Sequence, residues 1–358
     1  MADYNLAAMT LVIPYLLQRR TQIGRKAPLF SRLRKRPGAG KAASDVIETG
    51  GATVSNIAEG ANAPTATVNA ETAYSLGFGT YTSTLTITEQ ARRASGTVNG
   101  PPTGTGGYND RLWEEGATRI VQIIEQIESH LWTGTGTGAF QVTGFDLAIG
   151  DTTNTYAGIN RATPGNEYWH PNVFDDGVPT AATRALIESD LTEIRSNVYH
   201  PGSPDLIVAS PGIFNAVKAS MQGNVAYNIG AFPVGGVPQV GLQASADALY
   251  FGSAVMFVDD YAPTDSITYL NSEHVWIEYM PYPPDARRML EMMTDQAMMA
   301  KVRMAMMEAG LSDQLLPLDM YAQKLGAVGA AESLQYACFP SLVVARPNAC
   351  GMRLNIAV

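Results

Sequence analysis

A chain of 358 residues with 46% hydrophobic residues and a formal net charge of −9 can bury roughly three quarters of its extended surface in two or three domains. Its 16% charged residues, 34 Gly and 21 Pro point to many short strands and turns. Cys338 and Cys350 have no His or Cys partner at metal-ligand spacing, which favours a reduced, cytosolic environment, and no segment reaches the length of a membrane span.

Charge is unevenly distributed. Residues 1–44 hold nine of the 24 Lys and Arg but only Asp3 of the 33 acidic residues, so the remainder carries 15 basic and 32 acidic side chains, a net of −17. Arg19, Arg20, Arg25, Lys26, Arg32, Arg34, Lys35 and Arg36 read as an extended arm that partners order. Such an arm on an acidic body implies contact with a polyanion or docking on other copies of the chain. Aromatics are not interleaved with the cations, so contact with DNA is expected to be to phosphate and to weaken with salt. The apolar run Leu6 to Leu17 is broken by Pro14 and carries its positive charges after it, unlike a signal peptide.

Residues 45–88 alternate as β structure does. Val68, Ala70, Thr72, Tyr74, Leu76 and Phe78 share one phase, and Tyr81, Ser83, Leu85 and Ile87 the other. The slip near Gly77 and Gly79 predicts a bulge or sharp twist in a long hairpin. From Gly50 to Pro64 the composition is small and polar, so a projecting ribbon has little core of its own and gains stability by packing on something else. Val54, Ile57, Val68, Tyr74 and Phe78 are the candidates for contact with another subunit. The alternative is a hairpin folded back on its own domain.

After the Gly100 to Gly107 connector, Trp113, Ala117, Ile120, Ile124, Ile127 and Leu131 recur at helical spacing and predict a helix from Asn109 to Trp132. Asn109 or Asp110 can cap it, and the glycines of Gly134 to Gly138 end it. Ile149 to Pro171 is polar, turn-rich and aromatic, and reads as a loop that holds a shape. Thr180 to Tyr199 predicts a second helix, Asp205 to Ala209 a short strand, and Ser210-Pro211 the start of a third helix. Strands follow at Ala254 to Asp259, Ser266 to Leu270, His274 to Tyr279, Met320 to Val328 and Ser341 to Ala345. Eight of the fifteen methionines fall between Met289 and Met307, as a compliant contact stripe or a core-facing one.

Arrangements for catalysis are missing. No Gly-Lys-Ser/Thr follows the glycine-rich runs as a P-loop requires, so they read as hinges. Ser253 after Gly252 has no base at a suggestive spacing. His130, His170, His200 and His274 form no zinc pair and read as structural. The paired carboxyls Asp175-Asp176 and Asp259-Asp260 read as solvated turn or strand-end residues, because neighbours on a strand face opposite ways.

The run Tyr156-Ala-Gly158-Ile159-Asn-Arg161, with Pro164, Tyr168 and Trp169 after it, resembles a segment of the major capsid proteins of tailed double-stranded DNA bacteriophages, the family with the Hong Kong 97-like fold. PDLIVASPGIFNAVKA at 204–219 and LYFGSAVMFVDD at 249–260 also look like that family. The resemblance covers most of residues 45–280 in element order, the closing strands more weakly, and not the Met-rich segment. It implies an α+β fold in which residues 1–44 form an N-terminal basic arm and 45–88 an extended β-hairpin loop that overlaps neighbouring subunits. A peripheral domain with a long spine helix then occupies 89–140, joined by about 271–335, and an axial domain 141–270, joined by about 336–358.

The same resemblance implies a structural virion protein, not an enzyme, with no catalytic residues, cofactor or metal. It would self-assemble in the host cytoplasm into the pentamers and hexamers of an icosahedral head enclosing double-stranded DNA by non-specific contact. A scaffolding protein is an implied partner, because about forty residues before the ribbon are too few for a large scaffold domain; a portal and a decoration protein are others, and no membrane is. Some members cross-link Lys to Asn from the extended loop. No Lys lies between Ala42 and Thr88, and none of that chemistry is expected. The alternatives are an encapsulin-like compartment of the same fold and, from another class, an α/β enzyme with a site at the Gly-rich loops.

Overall fold

From Pro28 onward the basic segment lies on the body of the molecule. The computed structural model describes residues 28–50, 70–88, 108–197, 202–221, 248–281, 318, 320–328 and 331–357. Arg19, Arg20, Arg25, Lys26, the Gly100 to Gly107 connector and the Met-rich stripe lie outside them. Pro28–Arg32 form a short helix (α1) and Arg34–Pro37 a strand (β1). Proline suits the first helical position because its missing N–H would be unpaired there, and Leu29, Phe30 and Leu33 are buried. The expectation of an arm ordered by partners therefore does not hold for residues 28–37: three apolar side chains among the cations give this stretch a core-facing side.

Ala42–Gly50 (β2) and Ala70–Gly77 (β3) form an antiparallel two-stranded ribbon with an irregularity between Glu48 and Gly50. Tyr81–Thr88 (β4) does not continue it. The hairpin expected over 45–88 is corrected here: the slip at Gly77 to Gly79 is a change of sheet. At the crossing Gly79 donates its N–H to Pro340 O at 2.8 Å, and a Cβ on it would lie 2.9 Å from the backbone at Gln141 and Val142.

Tyr108–Thr133 is the long helix (α2). Asn109 and Asp110 fall within its first turn, not ahead of it. Ile120, Ile123, Ile127, Leu131 and Trp132 are buried along one side. It stops at Gly134, whose N–H bonds His130 O and where a Cβ would lie 2.2 Å from Val142 O.

Beyond it come Phe145–Ile149 (α3), Thr155–Tyr156 (β5), Ile159–Asn160 (β6), Asn172–Phe174 (β7), Thr180–Ala181 (β8) and Arg184–Arg195 (α4). The helix expected from Thr180 begins later because Thr180 and Ala181 pair with a strand near residue 356, and Thr183 caps α4 by accepting from Leu186 N. Leu206–Ala209 (β9) and Pro211–Met221 (α5) match their signals, with Pro211 opening the helix. Then follow Ala248–Phe251 (β10), Ala254–Val258 (β11), Ile267–Leu270 (β12), Val275–Tyr279 (β13), Tyr321–Val328 (β14), Ala331–Cys338 (β15), Pro340–Val344 (β16), Gly351–Arg353 (β17) and Ile356–Ala357 (β18). β15 is not visible as a strand in the sequence, since only Leu334, Tyr336 and Cys338 mark a face.

A mixed sheet runs β10-β11-β9-β12-β17-β7. Side chains alternate across a strand, and here both faces are covered. Ile207 and Ala209 of β9 join Ile187, Leu191, Ile194, Ile213 and Phe214 of α4 and α5 in one core, while Val208 joins the other, with Trp132 and Phe257. The sheet is a wall between two cores. The second core also receives the three-stranded sheets β1-β13-β16 and β14-β15-β4.

Candidate assembly interface

The ribbon is rooted in the subunit through one face, where Ile47 also packs partly buried against the core, and is exposed on the other. Ala43, Tyr74 and Leu76 at its root are buried, whereas Val46 is 53% exposed. Among the described residues β2 and β3 pair only with each other, and such ribbons are marginal in water. The Tyr74 ring packs 5.7 Å from Trp169, which stacks at 5.9 Å on Tyr156, and Ser75 N–H donates to Ala157 O. One candidate contact residue is thereby corrected, since Tyr74 is 4% exposed and fills its own subunit; Phe78 packs partly buried against the same core. Alternation shows that they share a face but not what covers it. Val54, Ile57 and Val68 lie outside the described residues.

The socket for this root is the motif loop. β5 and β6 are joined by Ala157 at φ 54° and Gly158 at φ 83°, the double left-handed turn that matches strand twist. The phenolic oxygen of Tyr156 accepts from Val344 N (2.9 Å), and Trp169 Nε1 donates to Tyr156 O (3.2 Å). Arg161, only 1% exposed, donates Nε to Trp169 O, one terminal nitrogen to Leu147 O, Asp151 O and Asn154 Oδ1, and the other to Ala148 O. Leu147 and Ala148 end α3, where carbonyls lack helical partners and a cation is favoured. Burial pushes the guanidinium down to about 10, opposed by Tyr156 and Asp151, which leaves it charged at neutral pH. His170 Nε2 bonds Arg161 O.

Arg32, Lys35 and Arg36 of the basic segment are engaged within the subunit. β1 pairs in parallel with β13, Arg34 opposite Trp276 and Pro37 opposite Tyr279. Arg32 lies 4.3 Å over the Phe257 ring and Arg36 4.1 Å over Trp276. Lys35 donates to Phe30 O and Leu33 O, and burial lowers its pKa. Under the segment, Glu128 of α2 accepts from Leu29 N and Phe30 N.

Several buried charges carry no motif. Asp259 is 0% exposed and accepts from Trp132 Nε1 and Tyr261 N, so its expected solvated role is corrected; Asp175 and Asp176 are exposed at a turn as expected. Arg353 forks onto Asp190 at 2.7 and 2.6 Å and reaches Asp176 at 2.8 Å, with Tyr269 also donating to Asp190. The hydrogen bonds to Asp190 hold Arg353 above its ordinary value, against burial. A signal existed: Glu128 stands four residues from Ile124 and three from Leu131, and Asp190 three from Ile187 and four from Ile194, each a charge inside an apolar stripe.

Ser253 Oγ accepts from Arg195, a guanidinium that cannot serve as base. Among the described residues no group of three or more His, Cys, Asp or Glu is arranged to hold a metal, and no helix is long and apolar enough to cross a membrane.

The family model described as SU10 major capsid protein matches residues 25–356. Among solved structures, the capsid asymmetric unit of cyanophage A-1(L) aligns with a TM-score of 0.62 at 15% identity, covering 94% of each chain. The capsid of a native GTA particle aligns at 0.57 and 9%, covering 94% of this chain and 93% of that one, and the capsid of Myoviridae phage XM1 at 0.51 and 10%, covering 94% of each. No curated protein matches.

Proposed function

The chain belongs to the SU10 major capsid protein family, and from that membership we propose how copies of it build a phage head. It is a structural subunit of the virion with the Hong Kong 97-like fold, and its copies associate as capsomers. In our reading these are pentamers and hexamers of an icosahedral shell enclosing double-stranded DNA, assembled in the host cytoplasm, without enzymatic activity or cofactor. The observation that carries this reading is the two-stranded ribbon: its base is fixed by Tyr74 on Trp169, while among the described residues its strands pair only with each other and leave Val46 exposed. A neighbouring copy supplies the missing surface. Each stable contact of this kind buries on the order of 1,200 to 2,000 Å² in total, and closure of a symmetric lattice sums many such contacts.

The cations at Arg19, Arg20, Arg25 and Lys26 are proposed to meet either DNA phosphate, with salt-sensitive affinity, or neighbouring subunits. A separate scaffolding protein, a portal and a decoration protein complete the proposed partners.

Electron microscopy and light scattering of the purified chain test the reading. Capsomers or shells are expected from the wild type. Val46→Asp is expected to leave unfolding within about 0.5 kcal/mol of wild type while reducing assembly severalfold. A monomer at high concentration, or undiminished assembly of Val46→Asp together with a ribbon deletion, overturns the overlap. Uniform shells of one size formed without any helper contradict the scaffolding partner.

A further inference from the structure

Phe140 is a large aromatic residue held in a backbone shape that suits glycine. Of the four large hydrophobic side chains exposed among the described residues it is the most exposed, at 71%. It follows the short turn Thr137–Ala139 just beyond α2, and its backbone lies in the left-handed region at φ 55°. That region crowds the Cβ of any L side chain, and for a bulky residue it is an outlier, with glycine or asparagine the usual occupant. A ring left this far in water buries too little to offset the strain, so the subunit alone gains little from Phe at this position.

The backbone around the ring is fixed. Thr80 N–H donates to Phe140 O at 2.8 Å, Gln141 N–H to Gly136 O at 3.2 Å, and Val142 N–H to the Tyr81 hydroxyl oxygen at 3.2 Å. The Gln141 amide oxygen accepts from Thr135 N, and Val142 is buried. A ring on such a support gives up little freedom when something covers it, which lowers the cost of binding. The bond from Thr80 also sets where the ring stands. It lies beside Gly77 to Thr80, where the chain leaves the ribbon and enters β4, and so continues the assembly surface at the ribbon's base.

We propose that Phe140 is an anchor of the contact between two copies of this chain, its ring covered by the neighbouring copy. The proposal rests on the overlap reading above and adds a second part to the same contact. Copies in this family associate as capsomers, and a closed ring of identical subunits joins two different patches on each copy. Val46 on the ribbon is one exposed apolar patch, and Phe140 at the ribbon's base supplies another. Aromatic side chains are enriched at the fully covered centres of such contacts, where a few of them carry most of the binding. The strain present in each free subunit is then offset only when copies meet.

Phe140→Gly tests the anchor, because a contact between copies and a role inside the subunit predict opposite signs. Glycine takes the left-handed shape without crowding, so the dilute, unassembled full chain is expected to melt above wild type. Assembly of the same variant, followed by light scattering and electron microscopy, is expected to need more than about tenfold higher protein concentration. Phe140→Asn, which also tolerates the shape, is expected to lose assembly in the same way, and Phe140→Tyr, which keeps the ring, to assemble within about threefold of wild type. A Phe140→Gly chain that melts below wild type shows a ring that works inside its own subunit and overturns the proposal. Undiminished assembly of the Gly and Asn variants overturns it too, whichever other partner the ring then meets. The two readings fail separately. Wild type that never assembles overturns both, whereas wild type that assembles, and is impaired by Val46→Asp but not by Phe140→Gly, overturns the anchor alone.

Discussion

Arg161 holds together a loop whose only strands are the two-residue β5 and β6. Its guanidinium closes the end of α3 and ties it to Trp169, whose ring seats the ribbon. Arg161→Met leaves these buried carbonyls without donors, at a penalty of about 1–3 kcal/mol each, and is expected to lower the unfolding free energy by about 3 kcal/mol or more in chemical denaturation. Arg161→Lys keeps the charge but not the planar fork and is expected to recover less than half of that loss. The motif around Arg161 was legible in the sequence, but its role was not, because its partners are mostly backbone carbonyls and carry no residue signature. Glu128 and Asp190 were legible only as charges interrupting apolar stripes, and spacing says nothing about the Asp259 and Arg353 they meet.

At the scale of elements, the Tyr74 ring is the largest of the side chains that root the ribbon, beside Ala43 and Leu76. Tyr74→Ala removes a ring that is 4% exposed and packed on Trp169, a loss comparable to the 3–5 kcal/mol of other large aromatic deletions. Proteolysis within residues 42–77 is expected to accelerate at least tenfold while far-UV circular dichroism of the body is little changed; equal acceleration throughout the chain would show that the ring supports the whole core instead. The strands here were legible from their alternation, and so was the slip between them. The change of sheet was not, because β4 pairs with Ala331–Cys338, and a period of two identifies a strand without identifying its partner. The long helix was legible to within a residue at each end, since its stripe of isoleucines is a local pattern.

For the whole molecule, the two-faced sheet makes separate unfolding of its cores difficult. Ile207 lies in the core of α4 and α5, while Trp132, Trp169 and Trp276 lie in the other. Ile207→Ala is expected to cost about 2–5 kcal/mol and to shift the tryptophan-fluorescence midpoint as far as the circular-dichroism midpoint, as a single cooperative transition requires. A fluorescence midpoint that stays put would show that the cores melt independently. Element order along residues 45–280 made this architecture legible through its resemblance, whereas the closing strands depend on pairings across most of the chain.

One of those pairings has a consequence for timing. Gly351–Arg353 fits between β12 and β7, yet the ribosome makes it after every other strand of that sheet. A nascent subunit therefore carries an unfilled slot until residues 351–353 have left the ribosome. Copies growing side by side on one messenger cannot adopt their finished shape before that strand emerges, which postpones shell growth until the slot is filled.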